Sequence, residues 1–233
     1  MRLFLKYIVF IGCFGLASPV NAQSGTYHTI QDFESWTVAG LNYKPNQNLK
    51  LNLSQQLRLK DNTSTLEQYF TELTLRYKLP HRFKLGGGAR YIHKNDDQGK
   101  NQGIRKYLRW NADLEYNHKI NRFTWAYRLR YQSKDELEKT TDILQNTLRA
   151  KVGFAYNFKQ WKLDPEFSSE IYHGLTDNEG LNRLRFTLGT QYELHQNGDI
   201  GVFIRTEKEL TGRYPKRTNI LGIKYNYTLK NKN

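Results

Sequence analysis

The chain has 233 residues, with 36 lysines and arginines against 22 aspartates and glutamates and a formal net charge of +14. A single cysteine excludes a disulfide framework, and a mean hydropathy of −0.78 excludes a bundle of membrane-spanning helices. Aromatic residues reach 14%, chiefly tyrosine, and only five prolines occur, a balance that suits long strands.

At the N-terminus Arg2 and Lys6 flank the first apolar residues, and 7–16 is an almost unbroken apolar run. Val20-Asn21-Ala22 then sets small residues at −3 and −1 of a cut before Gln23. Basic, apolar and small-residue segments in that order predict a signal peptide over 1–22 and a mature chain over 23–233. The apolar run falls well short of the ~20 residues that a spanning helix needs. Cys13 lies inside this leader, so the mature chain offers no thiol to a metal or a substrate. Export makes nucleic acid an unsuitable partner. The basic excess points instead to an anionic membrane surface or to anionic solutes.

A weak strand over about 33–43 comes next, and 49–59 then sets the theme. Leu49, Leu51, Leu53, Leu57 and Leu59 alternate with Lys50, Asn52, Ser54, Gln56 and Arg58. Period two marks a strand with one apolar and one polar face. The pattern recurs around Leu73 and Leu75, Leu85, Leu114, Leu129, Val152, Phe167, Leu188, Val202 and finally Ile223. Eleven candidate strands and no helix result. Short turns near 44–48, 80–82, 118–122, 159–161 and 195–199 alternate with longer polar loops near 60–65, 93–103, 133–145, 173–182 and 207–217.

Such a meander predicts an all-β, antiparallel up-and-down transmembrane barrel with turns inside and loops outside. A soluble sandwich or barrel is the competing architecture, but this many strands would enclose a space too wide for side chains to fill. Aromatics also gather at strand ends: Tyr43, Tyr77, Phe83, Tyr116, Phe123, Phe158, Trp161, Tyr192 and Tyr227 by the short turns, and Tyr69, Tyr91 and Tyr131 by the long loops. Bilayer interfaces favour such belts. Bacterial single-chain barrels use even strand numbers, so twelve strands, with 24–31 as the extra one, is the first expectation and ten the second.

The segments RLKDN (58–62), LEQYFTELTL (66–75), YRLRYQSKDEL (127–137), WKLDPEFSSEI (161–171), RFTLGTQYEL (185–194) and YPKRTNILGIKYNYTLK (214–230) resemble an uncharacterised family from Bacteroidota-type bacteria, the family of unknown function numbered 2490. The resemblance implies an exported outer-membrane barrel and brings no catalytic residues.

No chemistry-bearing motif stands out. His28, His81, His93, His118, His173 and His195 are scattered over turns and loop bases; only His173 has serines, Ser168 and Ser169, close in sequence. GxSxG and HExxH are absent. The expectation is therefore no enzyme, no cofactor and no metal, with an outer-membrane lipid hydrolase as the remote alternative. Asp96-Asp97 and Asp177-Asn178-Glu179 lack an EF-hand layout and read as solvated loop acid. Gly86-Gly87-Gly88 lies within a strand and reads as a close approach in the wall.

The polar face is the candidate site. Arg76, Arg90, Arg109, Arg128, Arg130, Arg149, Arg183, Arg185 and Arg205 are expected to line the lumen, together with Lys78, Lys151 and Lys224. Glu72, Asp113, Glu115, Asp164, Glu166, Glu170, Glu193 and Glu207 are expected beside them. Two accounts stay open: a narrow porin-like channel favouring small anionic solutes, or a plugged barrel that binds a partner or glycan through its outer loops.

Overall fold

The computed structural model describes residues 29–97, 102–139, 144–159, 162–176, 179–194 and 197–229. The expected signal peptide lies outside the described residues, as do His28, Trp161, Asp177, Asn178 and His195. Eleven strands follow one another: β1 (Ile30–Tyr43), β2 (Leu49–Lys60), β3 (Thr65–Lys78), β4 (Phe83–Asp96), β5 (Gly103–Ile120), β6 (Phe123–Glu136), β7 (Gln145–Tyr156), β8 (Asp164–Gly174), β9 (Gly180–Glu193), β10 (Gly198–Glu209) and β11 (Lys216–Leu229). Each pairs antiparallel with the next, and β1 pairs with β11 to close the barrel.

The expectation of twelve or ten strands is corrected to eleven among the described residues. Alternation counts the strands correctly, and the even-number rule misleads because it assumes an antiparallel closure. Here the closing pair is parallel, from Ile30 opposite Lys216 to Tyr43 opposite Leu229. Of the proposed twelfth strand at 24–31, Ile30 and Gln31 belong to β1, and 24–28 lie outside the described residues. Parallel closure puts the start of β1 at the long-loop rim and Leu229 at the short-turn rim.

Turn chemistry explains the hairpins. Asn46 Oδ1 accepts the backbone N–H groups of Asn48 and Leu49 at 2.9 and 2.8 Å, closing the first short turn. Asn121 takes a positive φ of 54° in the two-residue turn between β5 and β6. At the opposite rim Asp61, Asn62 and Thr63 all have positive φ, and the Ser64 N–H donates to Lys60 O at 3.1 Å. Short polar side chains tolerate that conformation at least cost.

The two faces of the wall differ completely. Leu53, Leu73, Leu85, Leu114, Leu129 and Leu188 stand exposed on the outside. Arginines, acids and amides point inward, with a small apolar cluster (Trp36, Phe70, Ile92 and Ile220) buried among them. Inside, the triple glycine makes room for its neighbours. A Cβ on Gly86 would sit 3.1 Å from Asp113 Cβ, and one on Gly88 would sit 3.1 Å from Leu73 O. The wall approach expected from sequence is thus a matter of the Asp113 side chain needing space.

Candidate functional site: a cationic lumen

With strands ~4.8 Å apart and tilted ~40°, an eleven-stranded barrel has a backbone radius of roughly 11 Å. Arginine side chains reaching inward from all sides therefore come within interaction distance of one another. They leave a polar cavity of ≈ 1200 Å³. Its walls include Asn42, Lys50, Asp199 and Asn226 near the short turns and Lys94, Lys134, Glu179 and Glu209 near the long loops, so one cavity reaches both rims.

Arg76, Arg90, Arg109, Arg128, Arg130, Arg149, Arg183, Arg185 and Arg205 all line this cavity, as do Lys151 and Lys224. Lys78, Glu166 and Glu193 are corrections. All three are exposed near the short-turn rim and none lines the cavity, because alternation says which face a residue takes but not how far down the wall it sits.

Pairing is dense along one arc. Glu170 on β8 accepts from three guanidinium groups: Arg128 at 2.7 Å, Arg149 at 2.9 Å and Arg185 at 3.3 Å. The Tyr172 hydroxyl donates to the same carboxylate at 3.2 Å. Asp113 takes a two-pronged contact from Arg130 at 2.6 and 2.7 Å. Glu72 meets Arg90 at 2.8 Å and Arg109 at 3.3 Å, and Arg76 meets Glu115 at 3.1 Å. Glu207 is held by Arg185 at 2.7 Å and Arg183 at 3.4 Å. Each of these pairs joins neighbouring strands or strands one apart, so the network runs along the wall rather than across the lumen. A buried charge needs such a partner, and planar two-pronged contacts fix its direction as well.

Sequence reading missed the other arc. Trp36, Phe70 and Ile92 sit in rows that alternation marks as polar, and Arg58 was recognised only as part of a polar row. Arg58 stacks on Trp36, 3.5 Å from its ring centre, and also faces Phe70 at 5.1 Å. Arg205 lies 4.8 Å from the same indole and 4.7 Å from the Phe203 ring. Trp36 is itself fixed by donating its indole N–H to Glu34 at 2.9 Å. Gly222 is required here, since a Cβ on it would come within 2.0 Å of Phe203. The only early signal was a tryptophan and a phenylalanine occupying polar-row positions.

The remaining candidates do not assemble. Ser168 lines the cavity while His173 is exposed on the opposite face of β8, so they form no nucleophile–base pair. Among the described residues no group of three or more metal-binding side chains occurs.

A family model described as "Protein of unknown function (DUF2490)" matches residues 33–209, and the chain belongs to that family. No curated protein matches it. A solved structure described as "Unveiling the Mechanism Behind the in-meso Crystallization of Membrane Proteins" is similar at 14% identity and a TM-score of 0.35, over 76% of this chain and 71% of that one.

Proposed function

We propose that this family member is an outer-membrane barrel whose water-filled, cationic lumen passes small anionic solutes. The observation that carries the reading is a polar cavity bounded by residues of both rims, with ion pairs running along its wall. Arg58, Lys151 and Arg205 meet no carboxylate at ion-pair distance among the described residues, although all three line it. A dry lumen would charge a heavy desolvation cost for such cations, whereas water or passing anions relieve it.

Three features support lipid around the wall. The outward leucines, isoleucines and valines form a continuous apolar surface, far beyond the few hundred Å² common on soluble monomers. Strands of 11 to 18 residues are long enough to cross a bilayer at a tilt. Outward aromatics form a girdle near the short turns, where Phe83 packs on Tyr116 at 4.9 Å and Phe123 on Tyr156 at 4.8 Å. Tyr69 with His93 at 4.6 Å, and Trp110 with Tyr131 at 5.3 Å, lie nearer the long loops.

Reconstitution in a planar bilayer is the test. Small currents that prefer anions are expected; a preference for cations would defeat the reading. Absence of any current would favour a second reading, a sealed barrel acting through its outer loops. The buried cluster of three arginines around Glu170 is the observation behind that alternative.

A further inference from the structure

The surplus of positive charge is concentrated beside one ring. Arg58 reaches Trp36 from β2, and Arg205 reaches it from β10 on the far side of the closing seam. Stacking satisfies the flat faces of a guanidinium but leaves its in-plane N–H groups to be used elsewhere. Arg205 gives its Nε–H to Thr187 Oγ1 at 3.0 Å, and its terminal nitrogens find no protein acceptor among the described residues. The Nε of Arg58 is buried with no hydrogen-bond partner among the described residues. Glu67 acts on Arg58 and Glu207 on both arginines, but neither acid comes within ion-pair distance of them, and Glu207 is already engaged by Arg185 and Arg183. Two cations are thus held on the same indole, with fixed donors and no carboxylate at ion-pair distance among the described residues, the Glu34 carboxylate being taken by the indole N–H.

Water offers lone pairs but no charge, whereas an oxyanion offers both. Because the rings already hold the two side chains, a bound anion would not have to immobilise them, and that lowers the entropic cost of binding. The Thr187 hydroxyl accepts from Arg205, so its own hydrogen is free to donate to a ligand. We propose that Arg58 and Arg205, clamped on Trp36, form a subsite for a small oxyanion, the phosphate or carboxylate group of a solute. The proposal rests on the reading of the lumen as water-accessible and cationic. The arginines around Glu170 are not part of it, since that carboxylate already supplies their counter-charge.

Calorimetry on the full chain refolded in detergent tests it, with inorganic phosphate and acetate titrated separately at constant ionic strength to tell the two sources of the group apart. One saturable site is expected. Arg58→Gln and Arg205→Gln should each weaken it about ten-fold or more, the loss that goes with removing a hydrogen bond to a charged group. Arg76→Gln, which removes a partner of Glu115 away from the indole, should leave the affinity within about two-fold. Heat-modifiable gel mobility would show that each variant has folded. If a variant does not fold, the unaltered protein still answers, because phosphate should change the tryptophan emission and Trp36→Phe should abolish the change. No saturable binding of either anion, or wild-type affinity in both arginine variants, would overturn the subsite. Calorimetry needs no ion flow, so binding without conductance defeats only the channel, and conductance without binding defeats only the subsite.

Discussion

From β3 to β9 every lumen arginine meets a carboxylate, whereas on the arc from β10 through the seam to β2 Arg58 and Arg205 have rings and no acid. Arginine is abundant on both arcs. What differs is how the acids are used: Glu72, Asp113, Glu115 and Glu170 pair with the arginines of the first arc, whereas on the second Glu34 accepts from the Trp36 indole and Glu207 is taken by Arg185 and Arg183. In the reading proposed above, the seam arc, where Arg58 and Arg205 have no carboxylate at ion-pair distance, is the part that attracts an anion. The first arc owes its geometry to pairing and the second to packing, so each should fail in its own way.

Glu170→Gln should produce the largest effect. It leaves three guanidinium groups facing a neutral amide in a buried setting, a loss of ~3–5 kcal/mol by the usual cost of breaking a buried ion pair. Urea unfolding of the refolded protein measures it, and a loss below ~1 kcal/mol would mean that solvent in the lumen replaces the carboxylate. Gly222→Ala probes the other arc without touching a charge. The new methyl collides with Phe203 and should cost ~1–3 kcal/mol by overpacking. Adding Phe203→Ala should recover part of that loss, a non-additivity that would be absent if the two sites were independent.

The smallest effect lies outside both arcs. Lys60 donates to Asp97 at 2.6 Å, and this hydrogen bond holds the exposed Asp97 carboxyl below its ordinary range. A lowered pKa means that the tie is present at neutral pH and lost only as the pH falls through the depressed value. Asp97→Asn should leave the unfolding midpoint unchanged at pH 7, as expected for an exposed pair; a measurable shift would give the loop a structural role.

The order of the strands was legible because outward-facing leucines repeat every second residue, and the count went astray only where an even number was imposed on the eleven alternating segments. The upper ends of the strands were not legible. Most strands run further into the long-loop side than the alternation does; β11, for example, starts at Lys216, in a polar stretch, rather than at Leu221. Where both faces meet polar surroundings the period-two signal vanishes while the hydrogen-bond ladder continues. In the lumen, the nine arginines were readable as inward-facing from parity alone, but their partners were not. Arg128 and Glu170 are 42 residues apart and sit on strands separated by β7, which only the register reveals. Parity gives Arg58 no partner because that partner is an indole, and only the closed seam brings Arg205 of β10, one strand beyond β11, to the same ring.

The parallel seam also bears on how the barrel is made. Each of the other pairings joins strands consecutive in the chain and can zip up from its own turn as soon as both strands exist. The seam instead couples Ser35 with Leu221, across nearly the whole described chain. Loop entropy makes that step only modestly harder, since the cost grows with the logarithm of length. The greater difficulty is exposure: until β11 reaches β1, both strands carry bare rows of N–H and C=O groups. Hydrocarbon offers those groups nothing, so a ribbon of ten hairpin-linked pairings cannot rest in lipid half-made. If the wall sits in lipid, as proposed, completing the seam and entering the bilayer become a single event.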